Sequence, residues 1–339
     1  MCIRDSTGGS LSWQNTASVR ISASGSSDGL AGVTGYQYRT STDGGTTWSA
    51  PVAGAADAIS AEGETLVQFR SVDAAGNTSP WAPSSPTGGS TARVDRSAPA
   101  APTVAGGSLT WSSAASVTVT ASGSTDTPGS GVASYAYRTS TDGGTTWSAP
   151  SAGSSVAVTA PGQTLVQFRA TDTSGLSSPW APAAATAGST VRIDRTAPVV
   201  PVVSGGSLAW QNTASVTVSA AGASDALSGV ARYEYRTSTD GGATWSAPAA
   251  GAANLVTAEG QTLTQFRSVD NAGNTSAWNP GTGGSTNTVR IDRTAPTAPS
   301  VLGGSGWTNA ASVTVTGSGS TDAPGSGVAS YQYLSLIHI

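Results

Sequence analysis

The sequence has one cysteine, one methionine and one histidine, and all three lie in its end segments, as Cys2, Met1 and His338. Residues 7–333 contain none of them. That excludes a disulfide framework there, nucleophile–base pairs built on Cys or His, and imidazole or thiolate metal sites. Lysine is absent throughout, so all 15 basic residues are arginine. Charged residues make up 10% of the chain and the net charge is −4, which argues against a nucleic-acid partner, since that needs a clustered basic surface. No apolar run approaches the length needed to span a bilayer. Gly, Ser, Thr and Ala dominate instead, and this all-Arg, Gly- and Ala-rich composition suggests a GC-rich bacterial genome. Such a composition is compatible with disorder, but ten Trp and eight Tyr at fixed phase point to ordered repeats.

The repeat is long. Trp13, Trp111, Trp210 and Trp307 are separated by 98, 99 and 97 residues, and Phe69, Phe168 and Phe266 by 99 and 98. This period exceeds that of helical solenoids or propeller blades and matches a whole β-sandwich domain. The sequence therefore divides into repeats at residues 7–96, 97–195, 196–293 and 294–333. Outside them, MCIRDS (1–6) and LSLIHI (334–339) break the pattern. Both resemble translated sequencing-adapter sequence and are set aside as non-native. On that reading the first repeat lacks its opening strand, the fourth stops at Tyr333, and the chain is a fragment.

The second repeat shows the strand pattern. Residues 97–111 contain Pro99 and Pro102, which suit an extended edge segment. ASVTVTAS alternates Val117 and Val119 with Thr118 and Thr120, the period of a half-buried strand. After a turn-rich loop come VASYAYRTS, a DGG turn and TTWSAP, which are expected to form a hairpin. VAVTA and TLVQFRATD follow, with Val166 and Phe168 inward, and STVRIDR closes the domain with Val191 and Ile193 on one face. About seven strands and no helical period predict an all-β fold of tandem immunoglobulin-like sandwiches, arranged as a rod with short Pro-containing linkers. An aromatic ring buries about 150–250 Å². Trp147 is therefore expected in the core, where the aromatics take over the role of the missing disulfide. The rival reading is an exposed Trp surface for sugars.

Two resemblances attach to these residues. Thr196-Ala197-Pro198, SGVARYEYRTSTDGGATWS and FRSVDNAGNTSAW are together similar to the bacterial Ig-like repeats of large exported surface proteins. That likeness implies a secreted or cell-surface, non-catalytic stalk, such as part of an adhesin. The second repeat departs from it, with Leu176 where the others have Asn77 and Asn274. Separately, Ser41, Asp43, Gly45, Thr47 and Trp48 resemble the Asp-box of sialidase-type propellers, as do Ser140, Asp142, Gly144, Thr146 and Trp147, and Ser238, Asp240, Gly242, Thr244 and Trp245. Physically such a box is a hairpin device, in which Asp and Thr side chains bond the turn backbone beside the Trp. One box per sandwich-sized repeat argues against a propeller.

No catalytic, cofactor-binding or metal-ligating residue is assigned from sequence, and no cofactor is expected. The four glutamates, Glu62, Glu64, Glu234 and Glu259, do not share a repeated position, and Glu62 and Glu64 read most simply as solvated. Loops at one end of a sandwich would gather Asp95, Asp126 and Asp172, and likewise Asp194, Asp225 and Asp270. Hard oxygen ligands of this kind suit Ca²⁺. The competing reading is that Asp95 and Asp194 pair with the adjacent Arg96 and Arg195 while Asp126 and Asp172 bond their own turns. Expected partners are neighbouring repeats and an extracellular protein or glycan. Two other functions remain open: a carbohydrate- or protein-binding module, and an accessory region of an extracellular hydrolase.

Overall fold

The computed structural model describes residues 5–335. Met1, Cys2 and His338 lie outside the described residues. The first repeat forms β1 (Asp5–Thr7), β2 (Val19–Ser24), β3 (Val33–Ser41), β4 (Val52–Ala53), β5 (Ala56–Ile59), β6 (Gly63–Asp73) and β7 (Thr91–Val94). They assemble into two sheets, ordered β1-β2-β5 and β4-β3-β6-β7. Val19, Ile21 and Ala23 of the first sheet pack against Val67, Phe69, Ala92 and Val94 of the second. This is a two-layer antiparallel sandwich of the immunoglobulin-like kind, built from the inward half of each alternating strand.

The second repeat reproduces it with β8 (Thr103–Ala105), β9 (Val117–Ser122), β10 (Val132–Ser140), β11 (Ser151–Ala152), β12 (Ser155–Val158), β13 (Gly162–Asp172) and β14 (Thr190–Ile193). Its sheets run β12-β9-β8 and β11-β10-β13-β14. The third adds β15 (Val202–Ser204), β16 (Trp210–Gln211), β17 (Val216–Ala221), β18 (Val230–Ser238), β19 (Ala249–Ala250), β20 (Ala253–Val256), β21 (Gly260–Asp270) and β22 (Thr288–Ile291). Here β16 joins β22 in parallel, so the chain crosses from one sheet to the other after β15. Gln14 makes the same parallel bridge to Val94 in the first repeat. Each core centres on a fully buried phenylalanine, Phe69, Phe168 or Phe266, tilted against Tyr38, Tyr137 or Tyr235 with ring centroids about 6 Å apart.

By contact density the chain divides into two units, Met1–Leu109 with Ala115–Ile193, and Thr110–Ala114 with Asp194–Ile339. The first contains the sandwiches of repeats one and two, the second that of repeat three. Beyond it, β23 (Ser300–Leu302) and β24 (Thr316–Ser318) form a two-stranded ladder; Val301 and Leu302 of β23 and Trp307 of the connecting segment are exposed.

Two expectations are corrected. The opening position of the first repeat is not empty: Asp5–Thr7 pairs with β2 in the register Asp5↔Ser24, Ser6↔Ala23, Thr7↔Ser22. A three-residue edge strand is held by its backbone, so residues outside the repeat pattern can still supply it. TTWSAP is not a strand. Side chains of the turn bond its backbone locally, one backbone bond runs from Ser148 N to Thr139 O at 2.9 Å, and ladder pairing starts at the two-residue β11, opposite Ala136 and Tyr137.

Candidate functional site

The loops at one end of the second sandwich converge on carboxylates. Asp172 ends β13, Asp126 lies in the loop before β10, and Asp95 follows β7. All three are buried, and each offers an oxygen to a set lying within 4.8 Å of one another. Asp95 Oδ2 accepts the Ser130 N–H at 2.8 Å and Asp126 Oδ2 that of Gly131 at 2.8 Å. Burial pushes the Asp126 carboxyl above its ordinary range against the opposing Gly131 N–H bond, and the charges of Asp95 and Asp172 add to the rise. The expected partner of Asp95 goes elsewhere, because the Arg96 ion pair is with Glu62 at 3.8 Å.

Asp194, Asp225 and Asp270 converge in the same way within the second unit. Asp225 Oδ1 accepts N–H bonds from Leu227, Ser228 and Gly229 at 2.9–3.0 Å. Burial works to raise the Asp194 carboxyl, but hydrogen bonds from Ser228 and Thr196 outweigh it and hold it below the usual range. The turn reading also holds at Asp126, Asp172 and Asp270, whose carboxylates bond their own loops. The clusters differ at Leu176, which stands where the third repeat has Asn274. Asp270 Oδ2 accepts the Asn274 amide at 2.7 Å, whereas Asp172 Oδ2 has no partner.

The outward face of each four-stranded sheet carries a second recurrent arrangement. Trp147 is half-buried and lies outside the Phe168 cluster, contrary to its expected place in the core. The Arg138 guanidinium sits 4.6 Å from the Trp147 ring and 4.5 Å from Trp180, and Arg169 lies 4.8 Å from Trp180. The stack thus runs Trp147–Arg138–Trp180–Arg169. It recurs as Trp48–Arg39–Trp81–Arg70 and Trp245–Arg236–Trp278–Arg267. Each cation–π contact contributes about 0.5–2 kcal/mol depending on desolvation.

Strand register builds this face. With Tyr137 opposite Phe168 on the inner side, Arg138 stands opposite Gln167 and Ala136 opposite Arg169. Gln167 Oε1 accepts both Arg138 Nε and Nη2, at 3.0 and 2.7 Å, while its amide donates to the Pro182 carbonyl. Burial and then the neighbouring Arg169 lower the Arg138 pKa from its ordinary value. Gln37 in the first repeat and Glu234 in the third accept from the outer arginine. Ala136 cannot, and Arg169 Nε is buried without a partner.

In the hairpin turn, Asp142 Oδ1 accepts from Ser140 Oγ at 2.7 Å, and Oδ2 from Thr146 Oγ1 at 2.6 Å. The Trp147 indole N–H donates to the Gly144 carbonyl at 3.1 Å. These bonds, led by those from Thr146, hold the Asp142 carboxyl far below its ordinary range, and Asp43 and Asp240 are held likewise. All the polar groups named act within the turn.

The glutamates are ion-paired rather than simply solvated: register sets Glu64 opposite Arg93 and Glu234 opposite Arg267, and Glu62 and Glu259 meet Arg96 and Arg293 just outside the strands. Glu64 meets Arg93 at 2.7 Å and Glu259 meets Arg293 at 3.0 Å. Glu62 also accepts the Ser97 hydroxyl. Glu234 lies between Arg232 and Arg267 at 2.6 and 2.7 Å. Its burial works to raise the carboxyl, but hydrogen bonds from Arg267 and Arg232 outweigh that and lower it.

No protein-family model and no curated protein matches the sequence. Among solved structures, the crystal structure of the FN1–FN3 domains of chicken CNTN1 is similar over 82% of this chain and 94% of that one, at 14% identity and a TM-score of 0.29. The sheet topology above defines the fold. No helix of the described residues is long and apolar enough to cross a membrane.

Proposed function

We propose that the chain is a non-catalytic structural segment, a series of β-sandwich modules acting as a spacer in a secreted or surface-attached bacterial protein of the adhesin kind. The observation that carries this reading is that the outward tryptophans and arginines stack on one another in all three sandwiches, and that the hairpin Asp and Thr side chains bond each other there. Trp81, Trp180 and Trp278 each lie within 4.8 Å of two guanidiniums. The hairpin Asp and Thr bond each other, and each glutamate bonds an arginine. The modular boundaries follow the repeats at 7–96, 97–195 and 196–293. Surface location rests on the resemblance of the repeat motifs.

A glycan-binding module would need ring faces open to a sugar, and Trp81, Trp180 and Trp278 are each stacked with two arginines. Titrating the chain with a glycan panel while following tryptophan emission is the test. The spacer reading expects no saturable shift; a saturable shift lost on Trp180→Ala would replace it with a binding module.

A further inference from the structure

The second sandwich differs from its siblings at one place on the outward face of its four-stranded sheet. Register sets Ala136 opposite Arg169, where the first repeat has Gln37 opposite Arg70 and the third has Glu234 opposite Arg267. Both sibling side chains reach across the strand pair and accept the arginine Nε–H, Gln37 Oε1 at 2.8 Å and Glu234 Oε2 at 2.9 Å. Ala136 has no acceptor to offer, and Arg169 Nε is buried without one. A buried donor of a charged group left unpaired is costly and rare in a native fold.

Charge supplies an independent observation. The outward positions of β10, β13 and β14 carry Arg138, Arg169 and Arg192 and no carboxylate. Arg138 and Arg192 are met only by neutral side-chain amides, those of Gln167 and Gln163. The corresponding faces of the first and third repeats each contain an acid, Glu64 at Arg93 and Glu234 at Arg267. Arg138 and Arg169 also share the Trp180 ring, at 4.5 and 4.8 Å from its centroid, so two like charges are held close together. The place over Ala136 is open to solvent. Ala136 is half-buried, while Ser134 along the strand and Ala152 across from it are exposed.

We propose that Arg169 is a binding site for the side-chain carboxylate of a glutamate presented by a partner polypeptide, standing over Ala136 as Glu234 stands in the third repeat. Such a carboxylate takes Nε and a terminal guanidinium nitrogen together, the forked geometry that suits arginine. Glu234 Oε2 does this at Arg267, at 2.9 Å from Nε and 2.7 Å from Nη2. A polypeptide is favoured over a sugar acid because Trp180 is already stacked with two guanidiniums, which leaves no ring face for a pyranose. The small side chains of Ala136 and Ala152 leave room for an extended segment at the sheet edge. The rival acceptor is a water molecule.

The test follows the Nε–Hε resonance of Arg169 by NMR in the isotope-labelled full chain at fixed ionic strength, with Arg169→Lys to assign it. A blocked tripeptide with a central glutamate is expected to shift it saturably, with a Kd on the order of 10 mM, the affinity that one charge-assisted pair supplies. The glutamine counterpart and chloride are expected to bind at least tenfold more weakly. The Arg70 and Arg267 resonances, whose acceptors are internal, should stay in place. Ala136→Glu, which installs the acceptor of the third repeat, is expected to abolish the response. A drift without saturation would leave water as the acceptor and overturn the proposal, and an equal response to chloride would reduce it to an adventitious ion only. An undiminished response in Ala136→Glu would place the ligand elsewhere, and tighter binding of glucuronate than of the peptide would overturn the polypeptide assignment. The readout is confined to one guanidinium, so it stands apart from the spacer reading.

Discussion

Phe168→Ala is expected to cost the second sandwich about 3–5 kcal/mol, the range for emptying a buried aromatic site. The ring has no exposed surface and packs between Val119 of one sheet and Val166, Val191 and Ile193 of the other. Tyr137 touches it from the facing strand, with centroids 5.8 Å apart. Strands paired on both sides hold this position, so the sheets can collapse only partly into the hole. For a domain of this size the loss corresponds to a fall in Tm of more than about 12 °C. Scanning calorimetry of the full chain checks it: the transition of one sandwich should separate and move down while the other two stay in place. Trp147→Ala removes a larger ring, but from the outward stack, where its partners are the Arg138 guanidinium and the Gly144 carbonyl. A loss of about 1–2 kcal/mol is expected there, and the order of the two variants distinguishes a phenylalanine core from a tryptophan core.

Gly106→Ala is the second large effect. Gly106 follows β8, where the chain leaves one sheet, and has φ +104°, a conformation that L-residues rarely adopt. A Cβ there would lie 2.3 Å from the Thr118 carbonyl oxygen of β9, so a backbone group would have to move. The next residues are fixed as well, by Gly107 N to Gly188 O at 2.9 Å and Ser108 N to Thr190 O at 2.7 Å. Strain of about 1–3 kcal/mol adds to an overpacking cost of about 1–3 kcal/mol. Gly143→Ala is the control. Gly143 also has positive φ, at +74°, but nothing lies near the added methyl, and about 1–2 kcal/mol is expected. Denaturant melts of the two variants give the difference directly.

Much of the fold was legible because a sandwich strand writes its inward face into every second residue. Val117–Val119, Val166–Phe168 and Val191–Ile193 each fell where alternation placed them, and the spacing of Phe69, Phe168 and Phe266 marked the cores. The acidic triads were legible from loop convergence. The tryptophans were misplaced for a physical reason. A large apolar ring scores as core, yet a guanidinium satisfies its face outside the core equally well. The signal was present: Arg39, Arg138 and Arg236, and Arg70, Arg169 and Arg267, recur at the same period as the rings they cover. The parallel pairing of β16 with β22 had no local signature, since two residues are too few to show alternation. The missing partner of Asp172 Oδ2, beside Leu176 where the other repeats have Asn77 and Asn274, emerged only from comparing hydrogen bonds at Asp73, Asp172 and Asp270.

We propose that the repeats at 7–96, 97–195 and 196–293 unfold as mechanically separate sandwiches. Pulling the full chain by its ends in a single-molecule force experiment tests it most directly. Three unfolding events of similar size are expected, each releasing a contour length on the order of 300 Å for a sandwich of this length, less its folded span. One event releasing the whole chain, or extension without discrete events, would contradict the account.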